Sequence, residues 1–327
     1  MNVTTPYTNV LEMIGNTPLL ELSRLNTGQC RLFLKLECNN PGGSIKDRIA
    51  LFMIRHAEEK GLISPGDILI EATAGNTGVG LALVASQKGY GLKIVMPDKM
   101  SIEKKYCLQS MGAEVIMTRS DVTKGHPEYY QDLAESLARK NGYFYINQFA
   151  NRVNVKAHYT TTGPEIWKQL DGRVDALVCG VGTGGTLSGA GGYLHERNPE
   201  IDLVLADPEG SLLAPLVKTG KAPEQIGSWY VEGIGEDFVP ETCNLDLVTK
   251  AYSIPDKESF AAARQLLQQE GISAGSSAGT LLAAALRYCL EQNEEKRVVT
   301  FACDTGNRYL SKLYNDDWMK EHLLDES

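Results

Sequence analysis

The chain has 327 residues, 43% of them hydrophobic, which allows one large or two ordinary domains with real cores. A net charge of −9 and a sequence pI near 5.2 argue against nucleic acid or an acidic membrane surface as the main partner, because neither attracts an acidic body. Met1 to Leu11 lacks a basic stretch followed by an apolar core, no uninterrupted apolar run approaches ~18 residues, and the seven cysteines and five histidines are scattered without metal-ligand spacing. A soluble cytoplasmic protein with no metal site and no membrane partner is expected.

Short apolar runs alternate with helical patterns, the signature of an α/β fold with parallel sheets. The first strand, Arg31 to Leu36, leads into Asn39-Asn40-Pro41-Gly42-Gly43-Ser44-Ile45-Lys46-Asp47-Arg48, a glycine-containing turn that runs into a helix with a lysine in its first turn. Ile45, Ile49, Phe52, Met53 and Ala57 recur at helical spacing, with Ser44 as the expected N-cap of a run ending near Gly61. The positive end of a helix disfavours a cation, so the Lys46 amine should be easier to deprotonate than a free lysine. A neutral amine is the nucleophile that a Schiff base requires, although alone the residue also reads as a solvated surface lysine.

The strand Asp67 to Glu71 opens the second loop, Glu71-Ala72-Thr73-Ala74-Gly75-Asn76-Thr77-Gly78, whose backbone N–H groups and threonine hydroxyls converge on a helix start. That is a carboxylate-sized anion site, or else a tight turn with capping threonines. Strands at Leu92 to Met96, Glu114 to Met117 and Tyr143 to Ile146 follow, with helices beginning near Ser101 and Pro127. Polar Asn147 to Asn154 suggests a boundary near Ala150, and the number of strands favours two sheets over one.

After a helix near Thr162, the strand Val174 to Cys179 leads into Gly180-Val181-Gly182-Thr183-Gly184-Gly185-Thr186, a loop able to cradle a phosphate with backbone donors. It also spells G-x-G-x-x-G, with Asp207 after the strand Asp202 to Ala206, so a nicotinamide or flavin enzyme must be weighed. Against that reading, the loop begins the second block, is denser in glycine and threonine than a dinucleotide needs, and leaves the other two ligand-type loops unexplained. Lys218 to Glu241 is the least regular segment and is expected to lie over a cleft between the blocks. A helix begins near Asp256, the serine-rich Glu270 to Gly279 stretch enters another near Ser277, and a last strand spans Arg297 to Ala302. The acidic tail from Asn315 carries Trp318 and should dock a short helix.

With these stretches in hand the chain resembles the fold-type II pyridoxal-phosphate enzymes, and within them the cysteine synthase and cystathionine β-synthase family. The resemblance spans nearly the whole chain: Ile14-Gly15-Asn16-Thr17-Pro18-Leu19, Asn40 to Arg48, Gly75-Asn76-Thr77-Gly78, Thr161-Thr162-Gly163-Pro164-Glu165-Ile166, Gly182 to Thr186 and Gly233-Ile234-Gly235. It implies two α/β domains with mostly parallel twisted sheets, as in the tryptophan synthase β chain, with pyridoxal 5'-phosphate in the cleft between them. Residues 38–150 would form the smaller domain, and 1–37 with 151–327 the larger one, which carries the phosphate loop.

By resemblance Lys46 forms the Schiff base with the cofactor and acts as the catalytic base, and Asn76 hydrogen-bonds the cofactor's phenolic oxygen. Gly182, Thr183, Gly184, Gly185 and Thr186 would hold the phosphate, and Ser277 would face the pyridine nitrogen. Thr73, Ala74, Gly75, Asn76, Thr77, Gln148, Tyr159, Glu232 and Gly233 would bind substrate. A hydroxyl at that nitrogen, unlike a carboxylate, does not keep it protonated, which favours loss of a β-substituent over transamination. Asp207-Pro208-Glu209-Gly210-Ser211, Val231-Glu232-Gly233-Ile234-Gly235 and Asp316-Asp317-Trp318-Met319 look like the cystathionine branch, because plain cysteine synthases tend to have glutamine where Glu232 stands. Two positions depart from it: Ala74 replaces a common serine, a change associated with donors such as O-acetylserine, and Glu236 sits where animal-type enzymes have tyrosine. The expected reaction is condensation of serine or O-acetylserine with homocysteine to give cystathionine; the alternative uses sulfide to make cysteine. A homodimer is expected, and neither haem nor adenosyl-methionine control is.

Overall fold

The computed structural model describes residues 6–73, 75–98, 102–322 and 324. Ala74 and the helix start expected at Ser101 therefore lie outside the described residues. The strands are β1 (Leu19–Leu22), β2 (Arg31–Leu36), β3 (Ile68–Ala72), β4 (Gly91–Pro97), β5 (Glu114–Thr118), β6 (Phe144–Tyr145), β7 (Ala176–Cys179), β8 (Asp202–Pro208), β9 (Lys250–Ile254) and β10 (Arg297–Ala302). The α-helices are α1 (Lys46–Glu59), α2 (Asn76–Lys88), α3 (Ile102–Ser110), α4 (Tyr130–Asn141), α5 (Arg152–Ala157), α6 (Gly163–Gln169), α7 (Gly192–Arg197), α8 (Leu213–Thr219), α9 (Asp256–Gln265), α10 (Ser276–Leu290) and α11 (Asp316–Glu321).

The contacts divide the chain into two compact units, Met1–Ile14 with Asn40–Asn154, and Gly15–Asn39 with Val155–Ser327. The leading segment thus groups with the smaller unit, whereas the sequence reading puts all of 1–37 in the larger one. The reason is strand pairing: β1 and β2 join the larger unit's sheet, and the turn Val10–Met13 before them does not. The division between Asn154 and Val155 falls close to the boundary expected near Ala150, inside a helix. The Asn151 side chain accepts the Val153 N–H at 3.0 Å, which starts α5, and the chain runs on through a π-type turn at His158–Thr162 into α6. The helix expected near Thr162 is α6, and the reading misses α5 before it, whose start signal sits inside residues that look like a loop.

In the smaller unit a four-stranded parallel sheet has the order β5-β4-β3-β6. Ile70, Ala72 and Val95 from its centre pack with Ala134 and Ala138 of α4, and Ile49, Met53 and Ala57 of α1 are buried at the helical spacing expected. In the larger unit a six-stranded sheet has the order β1-β2-β10-β7-β8-β9, parallel except that β1 pairs antiparallel with β2 at the edge. The sequence reading misses β1 and β9, the two edge strands. Both mix polar and apolar residues, unlike the fully buried β7, so neither shows a continuous apolar run.

Strand order also locates the ligand-type loops. In the smaller unit the chain runs one way from β3 to β4 and β5 but places β6 on the other side of β3, and in the larger unit β7 lies between β8 and β10. Loops that leave the carboxyl ends of such switch-point strands are where open α/β sheets bind ligands. The loops after β3 and β7 are the two anion-type loops read from the sequence. Among the described residues no helix is long and apolar enough to cross a membrane, and no group of three or more His, Cys, Asp or Glu side chains could hold a metal ion.

Candidate active site

In the smaller unit Lys46 is the first residue of α1 and is half-buried. The turn before it is set by its own side chains: Asp47 Oδ2 accepts the Gly42 N–H at 2.5 Å, and Ser44 Oγ accepts the Lys46 N–H at 3.2 Å. Ser44 thus serves the helix start as expected, although Ile45 occupies the cap position. A Cβ at Gly42 would come within 2.5 Å of Asp47 Oδ1, so this turn needs glycine there. The other wall is α2. A Cβ on Gly80 would lie 3.0 Å from the Lys46 carbonyl oxygen, so the glycine lets α2 lie directly on the first turn of α1, one turn from Asn76 and Thr77.

The loop between β3 and α2 is ordered by its own hydroxyl: Thr73 Oγ1 accepts the Gly75 N–H at 3.2 Å. Thr77 is buried and donates to Gln148 Oε1 at 2.6 Å, joining the loop after β3 to the loop after β6. A Cβ at Gly75 would meet no atom within 4 Å, so this loop borders open space. Beneath it, Glu71 is wholly buried and accepts the N–H groups of Ala72 at 3.0 Å and Gln148 at 3.3 Å. Burial pushes its carboxyl up to about 8 despite these backbone bonds, which pull the other way.

In the larger unit the glycine loop is clamped from outside. A Cβ at Gly182 would collide with the Gly233 carbonyl oxygen, and Gly184, in the left-handed region at φ +85°, faces Cys243 so closely that a Cβ would overlap it. Val181 O accepts the Gly235 N–H at 2.9 Å, and the Thr242 hydroxyl donates to Thr183 O. Thr186 Oγ1 lies 3.4 Å from His158 Nε2. Gly185 and Thr186 already belong to the helix that continues to Arg197, so the loop's N–H groups lie at a helix start.

The segment 230–236 is pinned at several points. Asp256 accepts the N–H groups of Tyr230 at 2.8 Å and Val231 at 3.1 Å, Ser276 Oγ accepts the Glu232 N–H at 3.0 Å, and Ser211 Oγ accepts the Glu236 N–H at 3.1 Å. Glu232 also pairs with Lys312 at 2.8 Å. Ser277, next to Ser276 in the first turn of α10, is 3% exposed and its hydroxyl makes no hydrogen bond among the described residues. The Tyr159 hydroxyl donates to Glu196 at 2.5 Å, beside Tyr193, whose ring Arg197 covers at 3.4 Å. The sequence reading does not single out the Glu71 carboxylate, the anchors Asp256 and Ser276, or Lys312. Only Glu71 leaves a local signal, a charged residue inside an apolar strand.

Residues 10–304 match the profile of the family described as pyridoxal-phosphate dependent enzyme. The cystathionine beta-synthase of Apis mellifera is 42% identical over 316 residues, covering 95% of this chain and 62% of that protein. The cystathionine beta-synthase of Saccharomyces cerevisiae is 42% identical over 329 residues, covering 97% of this chain and 64% of that protein. The chain thus spans about three-fifths of the length of the curated relatives it matches. Among solved structures, a hydrogen sulfide-producing enzyme from Fusobacterium nucleatum superposes with a TM-score of 0.85 at 39% identity, covering 93% of this chain and 100% of that one. An O-ureido-L-serine synthase does so with a TM-score of 0.88 at 33% identity, covering 97% and 100%. Its fold is that of the fold-type II enzymes, its family's cofactor is pyridoxal phosphate, and by sequence and structure the chain belongs to the pyridoxal-phosphate dependent enzyme family.

Proposed function

We propose that this chain catalyses a β-replacement in which serine or O-acetylserine condenses with homocysteine to give cystathionine. The observation that carries the reading is the identity of about 42% to cystathionine beta-synthases of an insect, a mammal and a yeast over 95% or more of the chain. The residues present suit the cofactor. A phosphate ester needs several N–H donors and no intruding side chain, and the glycine loop offers a helix start where Cβ atoms at Gly182 and Gly184 are sterically forbidden. A ring nitrogen suits a neutral partner, and Ser277 offers a buried hydroxyl not engaged elsewhere among the described residues.

Bound pyridoxal phosphate supplies an electron sink for the pair left when the substrate's α-proton departs. Lys46 Nζ would hold the cofactor and would serve as the base that takes the substrate's α-proton and returns it at the end. Gly182, Thr183, Gly184, Gly185 and Thr186 would hold the cofactor's phosphate, and Asn76 would bond its phenolic oxygen. Thr73, Ala74, Gly75, Asn76, Thr77 and Gln148 bind the donor's carboxylate. Thr77 occupies Gln148 Oε1, which leaves the amide N–H groups of Gln148 as donors. Tyr159, Glu232 and Gly233 act on the acceptor side, with Tyr159 first released from Glu196. We further infer a cytoplasmic homodimer, on the acidic charge, the free cysteines and the family likeness.

The test is the absorbance spectrum of the purified protein, followed by assays crossing serine and O-acetylserine with homocysteine and sulfide. A violet band lost on borohydride reduction and faster turnover with homocysteine are expected. Turnover with sulfide alone would replace this reading by cysteine synthesis, and a colourless protein that takes up no pyridoxal phosphate would overturn it. Sedimentation should give twice the 35.8 kDa chain mass.

A further inference from the structure

We propose that Glu71 is a positioning residue for the amino-acid carboxylate: its side chain fixes the Asn147-Gln148 turn and thereby the direction of the Gln148 amide. The proposal rests on the reading of Thr73, Thr77 and Gln148 as the groups that bind that carboxylate.

Glu71 stands within β3 with no exposed surface, in a strand whose other residues are apolar, and the sheet sets β6 and its following turn beside it. Its two oxygens are divided between two backbones, Oε1 on Ala72 N at 3.0 Å and Oε2 on Gln148 N at 3.3 Å, with the Asn147 N–H also contributing. Asn147 lies at φ +53°, in the left-handed region that asparagine enters more readily than most residues, and its carbonyl accepts the N–H groups of Ala150 at 3.1 Å and Asn151 at 2.9 Å. Asn154 Nδ2 holds the Gln148 carbonyl at 2.9 Å from the far side. The Gln148 backbone is therefore fixed between Glu71 and Asn154, while its side chain is oriented by Thr77 at 2.6 Å. With Oε1 taken, the amide presents only N–H donors, the groups a carboxylate accepts. A buried carboxylate that hydrogen-bonds only to backbone is an expensive way to shape a turn, and a neutral side chain would be cheaper unless ionisation is useful.

Ionisation changes what Glu71 can do. The carboxylate accepts on both oxygens, whereas the protonated acid keeps one acceptor oxygen and gains a hydroxyl that faces another donor. A glutamine has the same shape and the same split of one acceptor and one donor, so Glu71→Gln mimics the protonated acid at every pH. The titratable group whose electrostatics register Glu71 is Tyr145 on β6; Lys93, which pairs with Ile70 rather than with Glu71, and Asp132 and Glu135 of α4 belong to the opposite face of the sheet, where Ile70 and Ala72 pack on α4. Lys93 is committed to Glu114, and among the described residues none of these groups hydrogen-bonds the Glu71 carboxyl.

The experiment uses the holoenzyme and glycine, an amino acid with no β-substituent to lose, titrated by calorimetry into wild type and Glu71→Gln above and below a pH of about 8. At about pH 9, Glu71→Gln should bind glycine about tenfold more weakly than wild type, the effect of one lost hydrogen bond in the supporting turn, and at about pH 6.5 the two should agree within about threefold. The glycine amine titrates alike in both titrations, so it cancels in the ratio. Equal affinities at both pH values, or a ratio independent of pH, would overturn the proposal, the latter by showing a merely structural defect. A wild type that holds pyridoxal phosphate but binds no glycine would instead sink the carboxylate-site reading beneath it. Should Glu71→Gln not fold, Glu71→Asp keeps the charge but withdraws it by one methylene. It should show the same loss at high pH, and wild-type affinity in that variant would refute the role.

Discussion

Lys312 Nζ lies 2.8 Å from Glu232 Oε1, an ion pair joining the C-terminal stretch to the segment that Ser276 anchors through the Glu232 N–H. Both side chains are partly exposed, 43% for Lys312 and 26% for Glu232, so the pair is worth little as a stabiliser and its carboxylate can exchange partners. Homocysteine differs from sulfide in carrying an ammonium group, the kind of cation that could take the place of Lys312.

Glu232→Gln is therefore expected to weaken use of homocysteine about 2- to 30-fold while sulfide is affected less. Loss of the β-substituent from the donor alone, followed by absorbance, should barely change. Equal losses with both acceptors, or a parallel fall in donor elimination, would remove Glu232 from acceptor selection.

Lys46→Ala should abolish turnover, because the proposed reaction uses this amine as both nucleophile and base. Folding should survive, since Asp47 and Ser44 hold the turn before α1. Cofactor should remain bound through the glycine loop after gel filtration, measured by its absorbance. Retained β-replacement would take Lys46 out of the mechanism.

Gly182→Ala places a methyl group against the Gly233 carbonyl oxygen, backbone that cannot swing away. The loop must shift at a cost of about 1–3 kcal/mol, and binding of pyridoxal phosphate should weaken by tenfold or more. Gly75→Ala, whose Cβ meets no atom within 4 Å, should melt with wild type. Tight cofactor binding by the Gly182 variant in equilibrium dialysis would show that the clamp at Gly233 yields.

Glu71 should make the fold weaker as pH rises. Its folded carboxyl is raised from an ordinary 4.5 to about 8 by burial, so the unfolded chain gives up this proton first. The stability it allows is fully present below about pH 4.5 and is lost as pH rises through about 8. Wild type should therefore lose up to a few kcal/mol relative to Glu71→Gln across that window, at most about 1.4 kcal/mol for each step of one in pH. Urea denaturation of both proteins between about pH 5 and pH 8.5 checks this; parallel curves would mean that Glu71 ionises freely in the folded protein.

The sequence by itself determined the two anion-type loops, the lysine at the head of α1 and the family, because each is a local run: a strand, then glycines and hydroxyls, then a helix start. Such runs carry their own backbone geometry, and the structure finds them at the carboxyl ends of β3 and β7. The edge strands β1 and β9 and the helix start at Arg152 were hidden, since pairing at an edge and a cap inside a polar stretch leave no apolar period to read. Which residues stand behind the loops was decided by tertiary structure alone. Glu71 reaches Gln148 across 77 positions, Glu232 reaches Lys312 across 80, and Tyr159 turns to Glu196 across 37. None of these partners is set by local propensity. They meet because strand order puts β6 beside β3 and because the 230–236 segment is tied to α10, and a hydrogen bond between distant residues forms only after the sheets that carry them have closed.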